Sequence, residues 1–86
     1  PGSKHYTLQT LPLVQGDVIF AATDGFADQF GGANGKKFMR KRFRELLVQI
    51  APLPALEMEQ ALMTAFDEWR GSEEQVDDVL VIGVRV

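Results

Sequence analysis

The sequence predicts an α+β fold, an antiparallel sheet with an antiparallel helix pair on one face, in the order β-β-α-α-β. Three observations predict it. Short apolar runs without a helical period occupy residues 18–23 and 79–86. Between them, apolar residues recur at helical spacing in two stretches, separated by Pro52 and Pro54. The first apolar run is preceded, after a short polar turn, by an alternating segment that can pair with it.

Taken in order, Tyr6-Thr7-Leu8-Gln9-Thr10-Leu11 alternates apolar with polar, the pattern of a half-buried strand, and Pro12 ends that run. Gln15-Gly16-Asp17 supplies turn chemistry, so this strand and the next are expected to pair antiparallel. Residues 18–23 are apolar on both faces and read as a central strand covered on both sides. Residues 26–30 read as a short helical turn, and residues 31–35 as a flexible loop whose three glycines are free to take positive φ.

Met39, Phe43, Leu46, Leu47 and Ile50 follow the i, i+4, i+7, i+8, i+11 series of an amphipathic helix, stopped by Pro52 and Pro54. Met58, Leu62, Ala65, Phe66 and Trp69 form a second series, with Gly71 placed to end it. Residues 72–75 are a polar connector, and the last strand is expected to begin near Asp78 or Val79. No internal repeat or low-complexity tract interrupts this order.

Composition narrows the class. At 86 residues the chain suits one small domain. With 45% hydrophobic and 24% charged residues it has enough apolar surface to fold. A net charge of −3 argues against a general polyanion binder. Without cysteine there is no disulfide, thiolate metal site or cysteine nucleophile, which fits a reducing cytoplasm. No apolar run reaches the ~18 residues of a membrane helix, and the start lacks the charged and apolar regions of a signal peptide. Pro1-Gly2-Ser3 reads as the remnant of a cleaved expression tag, leaving residues 4–86 as the natural piece.

Two acidic motifs stand at the ends of the apolar strands. Asp24 follows the first, in Ala22-Thr23-Asp24-Gly25, and Asp77-Asp78 precedes the last. The two aspartates, 53 positions apart, meet at one sheet edge if their strands are neighbours, and an edge of that kind can present carboxylates to a metal ion. By pattern alone Asp24-Gly25 reads first as a turn, and Asp77 as a solvated residue guarding an aggregation-prone strand.

The blocks Gly16-Asp17-Val18-Ile19-Phe20, Thr23-Asp24-Gly25-Phe26-Ala27-Asp28-Gln29-Phe30-Gly31-Gly32, Trp69-Arg70-Gly71 and Gln75-Val76-Asp77-Asp78-Val79-Leu80-Val81-Ile82-Gly83-Val84-Arg85 occur in this order. Together they resemble the carboxy-terminal half of the catalytic domain of a SpoIIE-like bacterial serine/threonine phosphatase, within the metal-dependent protein phosphatase 2C superfamily. The resemblance runs from about Tyr6 to Val86. It implies that the chain is half of a four-layer αββα sandwich and that the missing amino-terminal half carries a further aspartate-glycine metal motif.

The same resemblance implies Asp24 and Asp77 as ligands of Mn²⁺ or Mg²⁺, hard cations that prefer oxygen donors. Gly25, Asp28 and Asp78 are implied as supporting positions around them. It implies hydrolysis of phosphoserine or phosphothreonine by a metal-activated water, with no catalytic side chain beyond the ligands. The implied substrate is a phosphorylated regulatory protein such as an anti-sigma-factor antagonist. The parent protein is expected in the cytoplasm, with any membrane anchor in other segments, and the isolated fragment is expected to be inactive with a weak or empty metal site. A noncatalytic interaction module with a degenerate phosphatase fold is the alternative.

Lys36, Lys37, Arg40, Lys41, Arg42 and Arg44 hold six of the nine basic residues. No aromatic stacking platform accompanies them, so a solvated helix face is expected rather than a nucleic-acid surface. His5 reads as an exposed strand start and Trp69 as core. The glycines at 31, 32 and 35 match no nucleotide-binding loop. Because two helices cover only one face of a sheet that is apolar on both, the fragment is expected to self-associate through its open sheet.

Overall fold

A computed structural model describes residues 9–12, 18–75 and 77–85. Its elements are β1 (Gln9–Pro12), β2 (Val18–Ala22), β3 (Phe30–Gly31), β4 (Lys36–Lys37), α1 (Arg40–Ile50), α2 (Ala55–Arg70) and β5 (Val81–Arg85). The α+β class and the order of the main elements are as the sequence predicts. Two details differ. Pro12 lies within β1, opposite Ile19, where an edge strand tolerates a residue without an N–H. Residues 31–35 belong to a β3–β4 hairpin, not a free loop. The expected strand residues 6–8 and turn 15–17 lie outside the described residues. No described helix is long and apolar enough to cross a membrane.

β2 sits at the centre of a three-stranded antiparallel sheet in the order β1-β2-β5. Strand alternation divides its side chains between two faces. Val18, Phe20 and Ala22 are buried, joining a core with Phe43, Leu47 and Ile50 of α1 and Met58 and Phe66 of α2. Opposite Phe20, Gly83 leaves room for the ring: a Cβ there would stand 3.1 Å from Phe20 Cε1. Among the described residues nothing covers the other face. Ile19 pairs with Val84, and Ala21 with Ile82; Ile19, Ile82 and Val84 are 40%, 43% and 53% exposed. By the described residues the central strand is therefore covered on one side only, not on both as its sequence suggests.

Helix α1 buries Phe43, Leu47 and Ile50 at helical spacing. Its entry is unusual. Met39 takes φ 81° and ψ 150°, a region that side chains other than glycine rarely adopt. Exposed Met39 is thus no core residue, contrary to its place in the periodic series. At the other end, Pro52 and Pro54 limit the helix, and Arg85 of β5 donates to the carbonyls of Ala51 (3.1 Å) and Leu53 (2.9 Å). That cation lies where the helix dipole favours positive charge, at a helix with no basic residue in its own last turn. Helix α2 carries Glu57 in its first turn and Arg70 in its last, both matched to the dipole. It ends at Gly71, φ 56°, as expected for a glycine stop.

Phe26 joins the sheet to both helices. Its ring stacks on Phe43 at 4.8 Å and meets Phe38 and Phe66 edge-on, each at 5.1 Å. Truncating a fully buried ring removes its apolar transfer energy and leaves a cavity. Phe26→Ala is expected to lower unfolding free energy by about 3–5 kcal/mol, against a total of roughly 4–13 kcal/mol for a chain this size. Urea denaturation followed by circular dichroism measures the loss; a change under ~1 kcal/mol would contradict the packing role.

Candidate metal centre

The site grows from the way β2 ends. Beyond its last paired residue, Thr23 continues the contact with the chain entering β5: its N–H donates to the Leu80 carbonyl at 3.0 Å. Its buried hydroxyl donates to the Asp78 carbonyl at 3.2 Å and accepts from the Leu80 N–H at 3.1 Å. One side chain thus ties together the segments that carry the two acidic motifs. Gly25 closes the approach. A Cβ on it would lie 2.2 Å from the Asp78 carbonyl oxygen, which no real contact permits, so only glycine lets the two backbones come this near.

Asp24, between Thr23 and Gly25, has a side chain 39% exposed, and Oδ1 accepts a hydrogen bond from Arg40 Nη2 at 3.2 Å. Asp77 is half-buried; its Oδ1 accepts from the Asp78 N–H at 2.8 Å, and its carbonyl accepts from Gln75 Nε2 at 2.9 Å. Asp78 lends the site its backbone and has an exposed side chain. Asp28 lies one turn beyond Asp24, its N–H donating to the Asp24 carbonyl at 2.9 Å. Its carboxylate stands 3.9 Å from Lys37 Nζ on β4. The segments holding Asp24, Gly25, Asp77 and Asp78 therefore meet at one end of the β2–β5 pair, while the Asp28 carboxylate engages the hairpin.

These donors suit a hard divalent cation in kind: carboxylate oxygens, partly solvent-accessible, at the open end of a sheet. In number they fall short. Among the described residues no group of three or more His, Cys, Asp or Glu is gathered to hold a metal. Such an ion takes about six ligands, so water and other groups must complete the set.

Three residues that sequence reasoning did not single out shape this site. Thr23 was legible only as the residue before an Asp-Gly pair. Gln29 is fully buried; its Nε2 donates to the carbonyls of Phe30 (3.0 Å) and Glu74 (2.8 Å), tying down the connector that leads to Asp77. A lone amide among phenylalanines was the available signal. Arg40 was hidden within a basic run. Trp69, expected as core, is half-buried: its Nε1 donates to the Gln29 carbonyl at 2.8 Å, and Arg42 lies over its ring at 4.9 Å.

The close approach at Gly25 generates a test. Gly25→Ala forces the added carbon against a backbone carbonyl, so the segment 77–80 must move. It is expected to lower stability by about 2–4 kcal/mol and to shift the amide resonances of residues 77–80 in ¹H–¹⁵N spectra. Spectra unchanged beyond residues 24–26 would contradict this juxtaposition.

Comparison with known proteins gives the family of the chain. Residues 1–86 match the family described as Stage II sporulation protein E (SpoIIE). Among solved structures, the SiaA-PP2C domain of Pseudomonas aeruginosa is similar at 33% identity with a TM-score of 0.77, over 80% of this chain and 28% of that chain. Comparison with curated proteins gives no match. The chain thus spans little more than a quarter of the solved chain it resembles. From the four ordered sequence blocks, the α+β fold and the match along its whole length, this chain belongs to the SpoIIE family of PP2C-type phosphatase domains.

Proposed function

We propose that the protein to which this chain belongs is a metal-dependent serine/threonine phosphatase, acting on phosphoserine or phosphothreonine of a regulatory protein such as an anti-sigma-factor antagonist. The observation that carries this reading is the meeting of the Asp24 and Asp77 segments at one end of the β2–β5 pair. Asp24 and Asp77 hold Mn²⁺ or Mg²⁺ together with groups from the missing amino-terminal half. When bound, the ions supply an acidified water and neutralise charge on the phosphoryl group. Thr23 and Gly25 set the separation of the two ligand-bearing segments. Asp78 contributes its backbone to that contact, and Asp28 supports the turn leaving Asp24. Alone, residues 4–86 are inactive and bind the cation weakly, because two carboxylates leave most coordination positions to water.

Titration calorimetry with Mn²⁺ and turnover of p-nitrophenyl phosphate test this reading. In the complete protein, Asp24→Asn and Asp77→Asn are each expected to cut turnover at least 100-fold and to weaken Mn²⁺ binding. The present chain is expected to show only background hydrolysis. Retained binding and turnover in both variants would overturn the assignment of the ligands.

The partner of the open sheet face belongs to the same reading. In the complete protein the remaining half of the domain covers Ile19, Ile82 and Val84; in this chain alone, a second copy does so, because wet apolar side chains forfeit roughly 1.5–3 kcal/mol each. Light scattering at micromolar concentration is expected to give the mass of a dimer, and the double variant Ile82→Asp, Val84→Lys that of a monomer. A wild-type monomer would refute self-association through this face.

A further inference from the structure

Arg40 differs from its basic neighbours in what holds it. Lys37 faces Asp28, and Arg42 covers Trp69, both away from the Asp24 carboxylate. Arg40 donates directly to Asp24 Oδ1 at 3.2 Å. It leaves the backbone immediately after Met39, whose φ of 81° is the only positive φ at a non-glycine residue among those described. That conformation is held from both sides: the Met39 N–H donates to the Ala27 carbonyl at 2.8 Å, and its carbonyl accepts from the Phe43 N–H at 3.1 Å. The N–H of Phe38 donates to the Gln29 carbonyl at 3.0 Å. Strained backbone persists where surrounding bonds over-determine it, and it gathers at sites where a side chain must be aimed. Here the strained residue starts α1 so that its first side chain reaches Asp24. Arg40, Arg44 and Asp24 also border one small cavity of about 60 Å³ at the end of β2.

A guanidinium and a divalent cation cannot both sit against the same carboxylate oxygen without repelling each other. We propose that Arg40 is an exchangeable counter-ion for Asp24: its guanidinium holds and orients the carboxylate in the metal-free chain and is displaced when Mn²⁺ or Mg²⁺ binds. Arg40 is then a positioning residue that lowers cation affinity and keeps the ligand in place until a cation arrives. The inference rests on the reading of Asp24 as a metal ligand. Both partners are part-exposed, so the contact is solvent-screened and the effect small.

The test measures Mn²⁺ binding to this chain from the electron paramagnetic resonance signal of the free ion. It compares wild type with Asp24→Asn, Arg40→Gln, Arg40→Lys, Lys41→Gln and the double variant Arg40→Gln, Asp24→Asn. Lys41→Gln removes the same charge from the adjacent exposed position, where it has no contact with Asp24. Arg40→Gln is expected to bind Mn²⁺ about two- to fivefold more tightly than wild type. Lys41→Gln should gain less than half as much, Arg40→Lys should stay near wild type, and the double variant should lose the gain. Equal gains in Arg40→Gln and Lys41→Gln would reduce the effect to net charge and overturn the exchange. Weaker binding in Arg40→Gln would overturn it too, and in either case loss of binding in Asp24→Asn would leave the metal reading standing. A gain that survives Asp24→Asn would overturn the ligand reading and the exchange together. No binding by any variant at millimolar Mn²⁺ would overturn the exchange in this chain, while the ligand reading is decided by the Asp24→Asn and Asp77→Asn variants of the complete protein.

Discussion

The hydroxyl of Thr23 is the contact on which the site depends. Two segments more than fifty residues apart must lie side by side beyond the point where regular strand pairing stops. β2 ends at Ala22 and β5 begins at Val81, so the strands alone do not hold residues 24 and 77 together. Thr23 extends the ladder by using its backbone N–H toward Leu80 and its hydroxyl as both donor and acceptor toward Asp78 and Leu80. Each bond adds about 1 kcal/mol net. Gly25 then lets the backbones close without a Cβ between them. Polar satisfaction and steric permission act on consecutive sides of Asp24.

A second set of contacts anchors the segment on the far side of the site. The C-terminal turn of α2 presents the Trp69 carbonyl to the Gly32 N–H at 2.9 Å, and a Cβ on Gly31 would lie 1.9 Å from that same oxygen. The indole N–H reaches the Gln29 carbonyl, and the Gln29 amide reaches Glu74. Helix end, hairpin and the connector before Asp77 are thereby joined through one tryptophan and one buried glutamine. This network fixes the stretch from Phe26 to Met39 and so holds the strained turn that begins α1.

The sheet has two apolar faces and one set of helices. Phe20, Phe26 and the helix residues are buried on one side, whereas Ile19, Ile82 and Val84 form a stripe across the paired strands β2 and β5 on the other. A soluble half-covered sheet would place polar residues at those positions. Their apolar character is the composition of a strand meant to lie between two layers, in accord with a chain that matches 28% of the solved domain chain it resembles.

Much of the fold was legible because it is written in local periodicity. The period-3.6 series of Phe43, Leu47 and Ile50, the prolines at 52 and 54 and the glycine at 71 are read by the chain's own geometry, and each element formed where they indicate. The acidic motifs and Gly25 were legible as well, since strand-end Asp and Gly carry distinct chemistry. What only tertiary structure decided are contacts between residues far apart in sequence. The turn of the hairpin at 30–37 has a local signal in Asn34-Gly35 and in the positive φ of Gly32 and Gly35, but the packing of the last turn of α2 against Gly31 and Gly32 is a contact between distant residues. Met39 fits the helical series by spacing, yet bonds to Ala27 and Phe43 force it outward into a conformation its own propensity disfavours. Arg40 reads as one cation among six until the fold sets it beside Asp24, sixteen positions earlier. Periodicity reports which face of an element is buried; which polar side chains meet is set by how the elements pack, and no local pattern encodes that distance.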